Sequence, residues 1–299
     1  ITFILSYKSG IKKIIKKLSP DIIIVCDDGL KGMLFPIIFG KKIPTIYERH
    51  VSKNIEIRED SPSFLNKIKN DIKFKLMDYG ADKFSKFVVL TNGNKNEWNL
   101  NNLEVISNPL PYKQNEISDL NSKTILVVGK QSYQKGYDRL LDIWQIVSSK
   151  YPDWKIEVYG KLDSSLQLEK KAQMLNISNS ITFYLAVKNI EDKYKTSSIY
   201  LMTSRFEGFG MVLIEAMSFG VPCVSFDCPH GPSDIISNNI DGFIIENGNI
   251  NEFANKLMFL IENENKRLEF GTKALSNVKR FDIDNIAIEW KKLFEGIVK

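Results

Sequence analysis

Short apolar runs alternate along this chain with stretches of helical period. DIIIVCDD (Asp21–Asp28), TILVVG (Thr124–Gly129), KIEVYG (Lys155–Gly160) and the segment Ile199–Thr203 include runs of consecutive apolar residues. Strands of that kind are buried on both faces, as in a parallel sheet. Further strands are predicted at Pro44–Glu48, Phe87–Thr91, Glu104–Ser107, Ile181–Tyr184, Pro222–Asp227 and Gly242–Ile245. Helical spacing falls between them, at Lys12–Leu18, Phe64–Tyr79, Tyr137–Ser149, Leu166–Leu175, Val212–Phe219, Glu252–Glu262 and Asn285–Ile297. The β-α-β-α order predicts an α/β fold with two doubly wound, Rossmann-like domains. Their boundary is expected in NPLPYKQNEISDLNS (Asn108–Ser122), which has prolines, many polar residues and no apolar period. The expected organisation is residues 1–110, residues 111–283, and a terminal helix over 284–299. Ligands of such sheets bind beyond the C-terminal ends of the strands.

Composition narrows the function classes. At 299 residues, 43% of them hydrophobic, the chain is long enough for two ordinary domains. No apolar run approaches the roughly 18 residues of a membrane span, and no signal peptide is visible. The cysteines, Cys26, Cys223 and Cys228, form no CxxC pair, and there are only two histidines, His50 and His230. Reduced thiols in a cytoplasmic protein without a metal site are expected. The net charge of +5 is uneven: residues 1–120 hold 19 Lys+Arg against 14 Asp+Glu, and the rest hold 22 of each. That favours an anionic lipid face on the first domain over nucleic acid, which calls for a denser basic patch. In KSGIKKIIKKL (Lys8–Leu18), Ile11, Ile14, Ile15 and Leu18 form a helical stripe flanked by Lys12, Lys13, Lys16 and Lys17. It reads either as a core-packed helix with a solvated basic face or as a lipid-facing element.

The richest segment is SRFEGFGMVLIEAMSFG (Ser204–Gly220), between two apolar strands. Glu207–Gly210 reads as a strand-to-helix turn in which glycine lets the backbone approach a ligand. The first N–H groups of the helix after it suit an anion such as a diphosphate. Glu207 in the turn and Glu215 inside the helix can both accept hydrogen bonds from sugar or ribose hydroxyls.

The E-x7-E element EGFGMVLIE resembles that of the family-4 glycosyltransferases. The resemblance implies a GT-B architecture, with two Rossmann-like domains facing a central cleft. It implies that Glu207 contacts the donor sugar, that Glu215 binds the ribose, and that the backbone of Gly208, Phe209, Gly210, Met211 and Val212 faces the sugar and diphosphate. VVGKQSYQKGYDRLLDIW (Val127–Trp144) is similar to the family's stretch containing G-R and K-G. It places Lys135 on the diphosphate, with Lys130 where the family has Arg, a change that keeps the charge and loses the bidentate fork. PTIYERH (Pro44–His50) is similar to a family strand ending in E-H, so His50 is expected near the donor sugar, its phosphate or the acceptor. CPHGPSDII (Cys228–Ile236) is similar to a stretch of polysaccharide transferases, with Ser233 expected as a helix N-cap. Asp282–Ile283–Asp284 reads as helix capping, and Asp27–Asp28 lacks further ligands in sequence.

The resemblance thus implies a retaining transferase that uses a nucleotide sugar, UDP-linked, with no metal or other cofactor. The acceptor would be a glycan or polyprenyl-linked chain of cell-surface polysaccharide synthesis, and the base would meet backbone near Phe183–Lys188. A silent nucleotide-sugar-binding scaffold and a GT-B epimerase are the alternatives. The family's opening strand and glycine-rich loop do not precede Asp21, so the chain is expected to join the pattern part-way through the first domain.

Overall fold

The computed structural model describes residues 2–27, 29–53, 64–111, 113–114 and 116–298. Asp28, one half of the Asp27–Asp28 pair, lies outside them. The chain divides into two compact units, residues 1–107 with 284–299, and residues 108–283. The division falls after Ser107 rather than after Leu110, whose N–H donates to Phe281 O within the second unit.

In the first unit the elements are α1 (Thr2–Leu18), β1 (Ile23–Cys26), α2 (Leu30–Met33), α3 (Phe35–Phe39), β2 (Thr45–Arg49), α4 (Phe64–Ala81), β3 (Lys86–Val89), α5 (Asn92–Lys95) and β4 (Leu103–Val105). The strands form a parallel sheet in the order β1-β2-β3-β4. Tyr47 and Phe87 are partners in register and stack at 5.1 Å. Met33, Met77, Ala81, Phe84 and Trp98 close the core around them. Helix α4 can approach α2 because Gly80 has no side chain: a Cβ there would lie 2.8 Å from Met33 O. The stripe predicted on α1 divides. Ile11 and Ile15 pack on the core, whereas Ile14 and Leu18 are 56% and 67% exposed among the lysines.

The second unit contains β5 (Thr124–Val128), α6 (Tyr137–Ser148), β6 (Lys155–Tyr159), α7 (Leu168–Met174), β7 (Ile181–Tyr184), α8 (Glu191–Lys195), β8 (Ile199–Met202), α9 (Met211–Ser218), β9 (Cys223–Asp227), α10 (Pro232–Ile235), β10 (Gly242–Glu246), α11 (Ile250–Glu262) and α12 (Glu264–Val278). Its sheet is parallel throughout, in the order β10-β9-β8-β5-β6-β7. From β5 the chain winds outward through β6 and β7. It then returns to the other side of β5 with β8 and winds outward again through β9 and β10. The strand order therefore reverses between β5 and β8, the position where doubly wound sheets open a crevice for ligands. The continuous apolar run of β8 is buried at every residue, as its sequence predicts. Trp144 on α6 is fully buried, and its indole N–H donates to Ser180 Oγ at 2.9 Å.

Helix α12 is not evident from the sequence, because its first turns are charged. It is held by Arg267, 6% exposed, whose guanidinium donates to Leu260 O and Ile261 O near the C-terminal end of α11. The last helix, α13 (Ile283–Ile297), belongs almost wholly to the first unit. There Ile286 is buried with Ile46, Val88 and Ile106, and Trp290, Leu293, Phe294 and Ile297 pack alongside. Asp282 directly precedes this helix and Asp284 lies in its first turn, where carboxylates favour the helix dipole.

Candidate active site

The two loops that leave the switch point of the second sheet carry the predicted residues. After β5 the chain runs through Gly129–Gly136 into α6, and after β8 it runs through Thr203–Gly210 into α9. Gly136, the N-cap of α6, is left-handed (φ 63°, ψ 37°). A Cβ on it would lie 2.2 Å from Thr203 O, so the K-G pair needs its glycine both for backbone shape and for the approach of the second loop. Thr203 Oγ1 donates to Lys135 O, the N–H of Arg205 donates to Gln134 O, and Gln134 Nε2 donates to Phe206 O. Arg205 fastens the loops further. It forms a paired contact with the Asp138 carboxylate (2.9 and 2.6 Å) and lies over the Tyr133 ring.

This frame positions the ionic pair. Lys135 Nζ donates to Glu207 Oε1 at 2.7 Å, and Ser204 Oγ donates to the same oxygen at 2.5 Å. Glu207 is 7% exposed. Among the described residues its Oε2 accepts no hydrogen bond, so one oxygen is anchored by protein and the other is available to a ligand. Burial, followed by the charge of Glu207, pushes the neighbouring Tyr137 phenol and Cys228 thiol up, so both stay protonated. Tyr137 donates to Gly129 O and holds the first loop. Glu215 sits within α9 with the same division of labour. Its Oε2 accepts from the Tyr194 hydroxyl at 2.9 Å, and Oε1 has no partner among the described residues. Burial raises the Glu215 pKa, against the lowering effect of that hydrogen bond.

Between the two carboxylates lies the start of α9. Gly210 caps the helix with φ 99°, and no side chain caps it. Among the described residues, the backbone N–H groups from Gly208 to Val212 find no acceptor. Together with the helix dipole they make an anion site. Phe209 contributes only its backbone, because its ring is buried edge-on against Phe281 (5.6 Å, 83°). The turn Pro229–Gly231 supports this segment from behind. Pro229 O accepts from the N–H of Glu207, and a Cβ on Gly231 (φ 123°) would lie 1.8 Å from Phe209 O. Gly231 is also the N-cap of α10, with Pro232 first in the helix, so Ser233 does not take the capping position expected of it. His230 is left-handed (φ 67°) in that turn.

Two further residues were predicted. Lys130 is exposed at the end of β5 and does not join the Lys135–Glu207 pair. His50 belongs to the first unit, just past β2, and its Nε2 pairs with Glu48 Oε1 at 3.3 Å. The sequence reading missed Ser204, Tyr194 and the Arg205–Asp138 clamp. Ser204 and Arg205 lie inside the motif segment, but nothing in their spacing announces these partners.

Comparison with known proteins identifies the family. Residues 111–276 match the model of the family described as glycosyl transferases group 1. An uncharacterized glycosyltransferase of Haemophilus influenzae is 32% identical over 96% of this chain and 79% of its own length. The poly(ribitol-phosphate) alpha-N-acetylglucosaminyltransferase of Staphylococcus aureus is 27% identical over 96% of this chain, which spans 57% of that protein. A crystal structure of a Staphylococcus aureus TarM variant, in complex with fondaparinux, alpha-GlcNAc-glycerol and UDP, aligns with a TM-score of 0.78 at 26% identity. That alignment covers 94% of this chain and 57% of that one. The fold is GT-B, and the chain belongs to the group 1 glycosyl transferase family.

Proposed function

We propose that the chain transfers a hexosyl or N-acetylhexosaminyl group from a UDP-sugar to a glycan or lipid-linked acceptor of the cell surface, with retention of anomeric configuration and no required metal. One observation carries this reading. At the switch point of the second sheet, an uncapped helix start and Lys135 offer positive charge and N–H donors, between two carboxylates that each keep one oxygen available. A nucleoside diphosphate sugar has the matching groups: an anionic diphosphate, a ribose diol for Glu215, and sugar hydroxyls for Glu207. The names of relatives support the substrate class. UDP is present in the TarM complex, and the Staphylococcus aureus relative acts on a poly(ribitol-phosphate).

In this reading the bond from the anomeric carbon to the diphosphate breaks while the acceptor oxygen bonds to that carbon on the same face. The acceptor hydroxyl proton passes to an oxygen of the departing diphosphate. Lys135 and the N–H groups of Gly208–Val212 stabilise the charge that develops on the diphosphate, which is the work fixed donors do best. Exposed Lys130 adds charge from the neighbouring loop. Glu207 orients the sugar and is not a nucleophile. His50 is assigned a hydrogen bond to the sugar, its phosphate or the acceptor. The exposed Ile14 and Leu18 among Lys12, Lys13, Lys16 and Lys17 favour an anionic membrane as the surface on which a lipid-linked acceptor is met. No helix of the described residues is long and apolar enough to cross a membrane.

The test is a panel of UDP-sugars with polyol-phosphate and lipid-linked acceptors, read by mass spectrometry for product and by NMR for anomeric configuration. A glycosylated product with retained configuration is expected. UDP-sugar binding with neither transfer nor donor hydrolysis would instead identify a nucleotide-sugar-binding protein. Flotation with anionic vesicles tests the membrane face: binding that survives replacement of the four lysines by Glu would rule it out.

A further inference from the structure

The first unit holds a second cluster of reactive side chains, remote in sequence from the donor motifs. Strand pairing builds it. Cys26 ends β1 and is the direct register partner of Glu48 on β2. Glu48 is on β2 and His50 directly follows the strand, two residues on, so the strand's period carried one residue further turns both to one face. The result is a thiol, a carboxylate and an imidazole whose ligating atoms all lie within 4.8 Å of one another. Cys26 Sγ lies 3.2 Å from Glu48 Oε2, and His50 Nε2 lies 3.3 Å from Glu48 Oε1. A tetrahedral zinc ion with ligand bonds of about 2.0–2.3 Å sets neighbouring ligand atoms roughly 3.3–3.8 Å apart. The two contacts of 3.2 and 3.3 Å use different oxygens of Glu48, so the carboxylate turns to offer one oxygen to the ion, and ligand atoms already within 4.8 Å of one another need only side-chain rotations to surround it. Sulfur and imidazole ligands select zinc or a similar transition metal over magnesium or calcium. The imidazole is 41% exposed and Cys26 is exposed, so an ion can enter from solvent, and water can take the fourth position.

We propose that Cys26, Glu48 and His50 form a zinc-binding site, in which the ion replaces the hydrogen bonds that Glu48 now makes to the other two. Binding releases the thiol proton, and the second imidazole proton where His50 carries one, so affinity rises with pH. If His50 serves the sugar or phosphate as proposed above, zinc withdraws its Nε2 from that task and inhibits transfer. The site itself does not depend on that reading.

Cobalt(II) titration of the whole chain tests it. The expected result is one equivalent of four-coordinate cobalt, with intense visible bands and a thiolate-to-cobalt charge-transfer band, both displaced by zinc. In Cys26→Ser the charge-transfer band disappears and affinity falls by at least about tenfold to a hundredfold, and His50→Ala weakens binding similarly. A weak six-coordinate spectrum, or a Cys26→Ser spectrum equal to wild type, overturns the proposal. Alkylation gives a readout without any variant. Cys223 and Cys228 are buried, which leaves Cys26 as the reactive thiol. Zinc should slow its modification by about tenfold or more, and an unchanged rate also refutes the site.

Discussion

The replacement Glu215→Gln separates ligand binding from folding at the donor site. Tyr194 occupies one Glu215 oxygen, and the other is without a partner among the described residues. A ribose diol therefore meets a partly buried, charged acceptor. Hydrogen bonds to a charged group contribute roughly 1.5–3 kcal/mol each. Glutamine keeps one acceptor and turns the other position into a donor, which removes about one such bond. UDP should then bind roughly 10- to 150-fold more weakly by isothermal titration calorimetry. Folding should respond differently. Burial raises the Glu215 pKa above its ordinary value of 4.5, so the native state holds that proton more tightly than the unfolded chain does. The stability from this group is full below the ordinary value and lost as pH rises through the raised one. At neutral pH, removing the charge should leave urea stability equal or higher. Ribose hydroxyls donate to the ionised carboxylate, so wild-type UDP affinity should decline as pH falls through the raised pKa, while the variant's pH profile stays flatter. An unchanged UDP dissociation constant in a folded Glu215→Gln protein would refute the ribose assignment. A joint loss of affinity and stability would point to a structural role instead.

Other replacements probe other parts of the account. Lys135→Ala removes the ammonium from both the diphosphate and Glu207, and initial-rate assays should show transfer reduced by about a hundredfold or more; wild-type rates would contradict the diphosphate role. Gly136→Ala forces a Cβ to 2.2 Å from Thr203 O at a left-handed residue. It should destabilise the second unit by at least about 1–2 kcal/mol in urea denaturation, with UDP affinity falling as well; an unchanged midpoint would show that the loops can move apart. Trp144→Ala empties a fully buried position on α6 and should reduce stability by about 3–5 kcal/mol, read from the denaturation midpoint.

Much of this fold can be read from strand chemistry. Each predicted strand segment overlaps one of β1–β10, because runs such as IYLMT and TILVV are apolar on both faces. The reversal between β5 and β8 cannot be read that way, since strand order depends on which edge each crossover returns to. Short helices such as α2, α5 and α8 span about one turn, too little for a period to show. Helix α12 is hard to read because its buried face starts with a charged residue, Arg267, and continues through Phe270, Gly271, Ala274 and Val278, of which only Phe270 and Val278 are large and apolar. At the candidate site, Glu207, Glu215 and Lys135 were legible because glycine turns and a helix start surround them. Their geometry was not. The second hydrogen bond on Glu207 comes from Ser204, and the partner of Glu215 comes from Tyr194 on α8, far away in sequence. The inward turn of the Phe209 ring follows from its contact with Phe281, which no local pattern encodes.

In the proposed function Glu207 orients the sugar of a donor whose nucleotide is held by neighbouring groups. The direct measurement pairs transfer with UDP binding in Glu207→Ala, using whichever UDP-sugar the wild-type chain turns over. Transfer should fall to background while UDP still binds within a few-fold of wild type, because Glu215 and the backbone of α9 remain. Transfer at the wild-type rate in that variant would contradict the orienting role of Glu207.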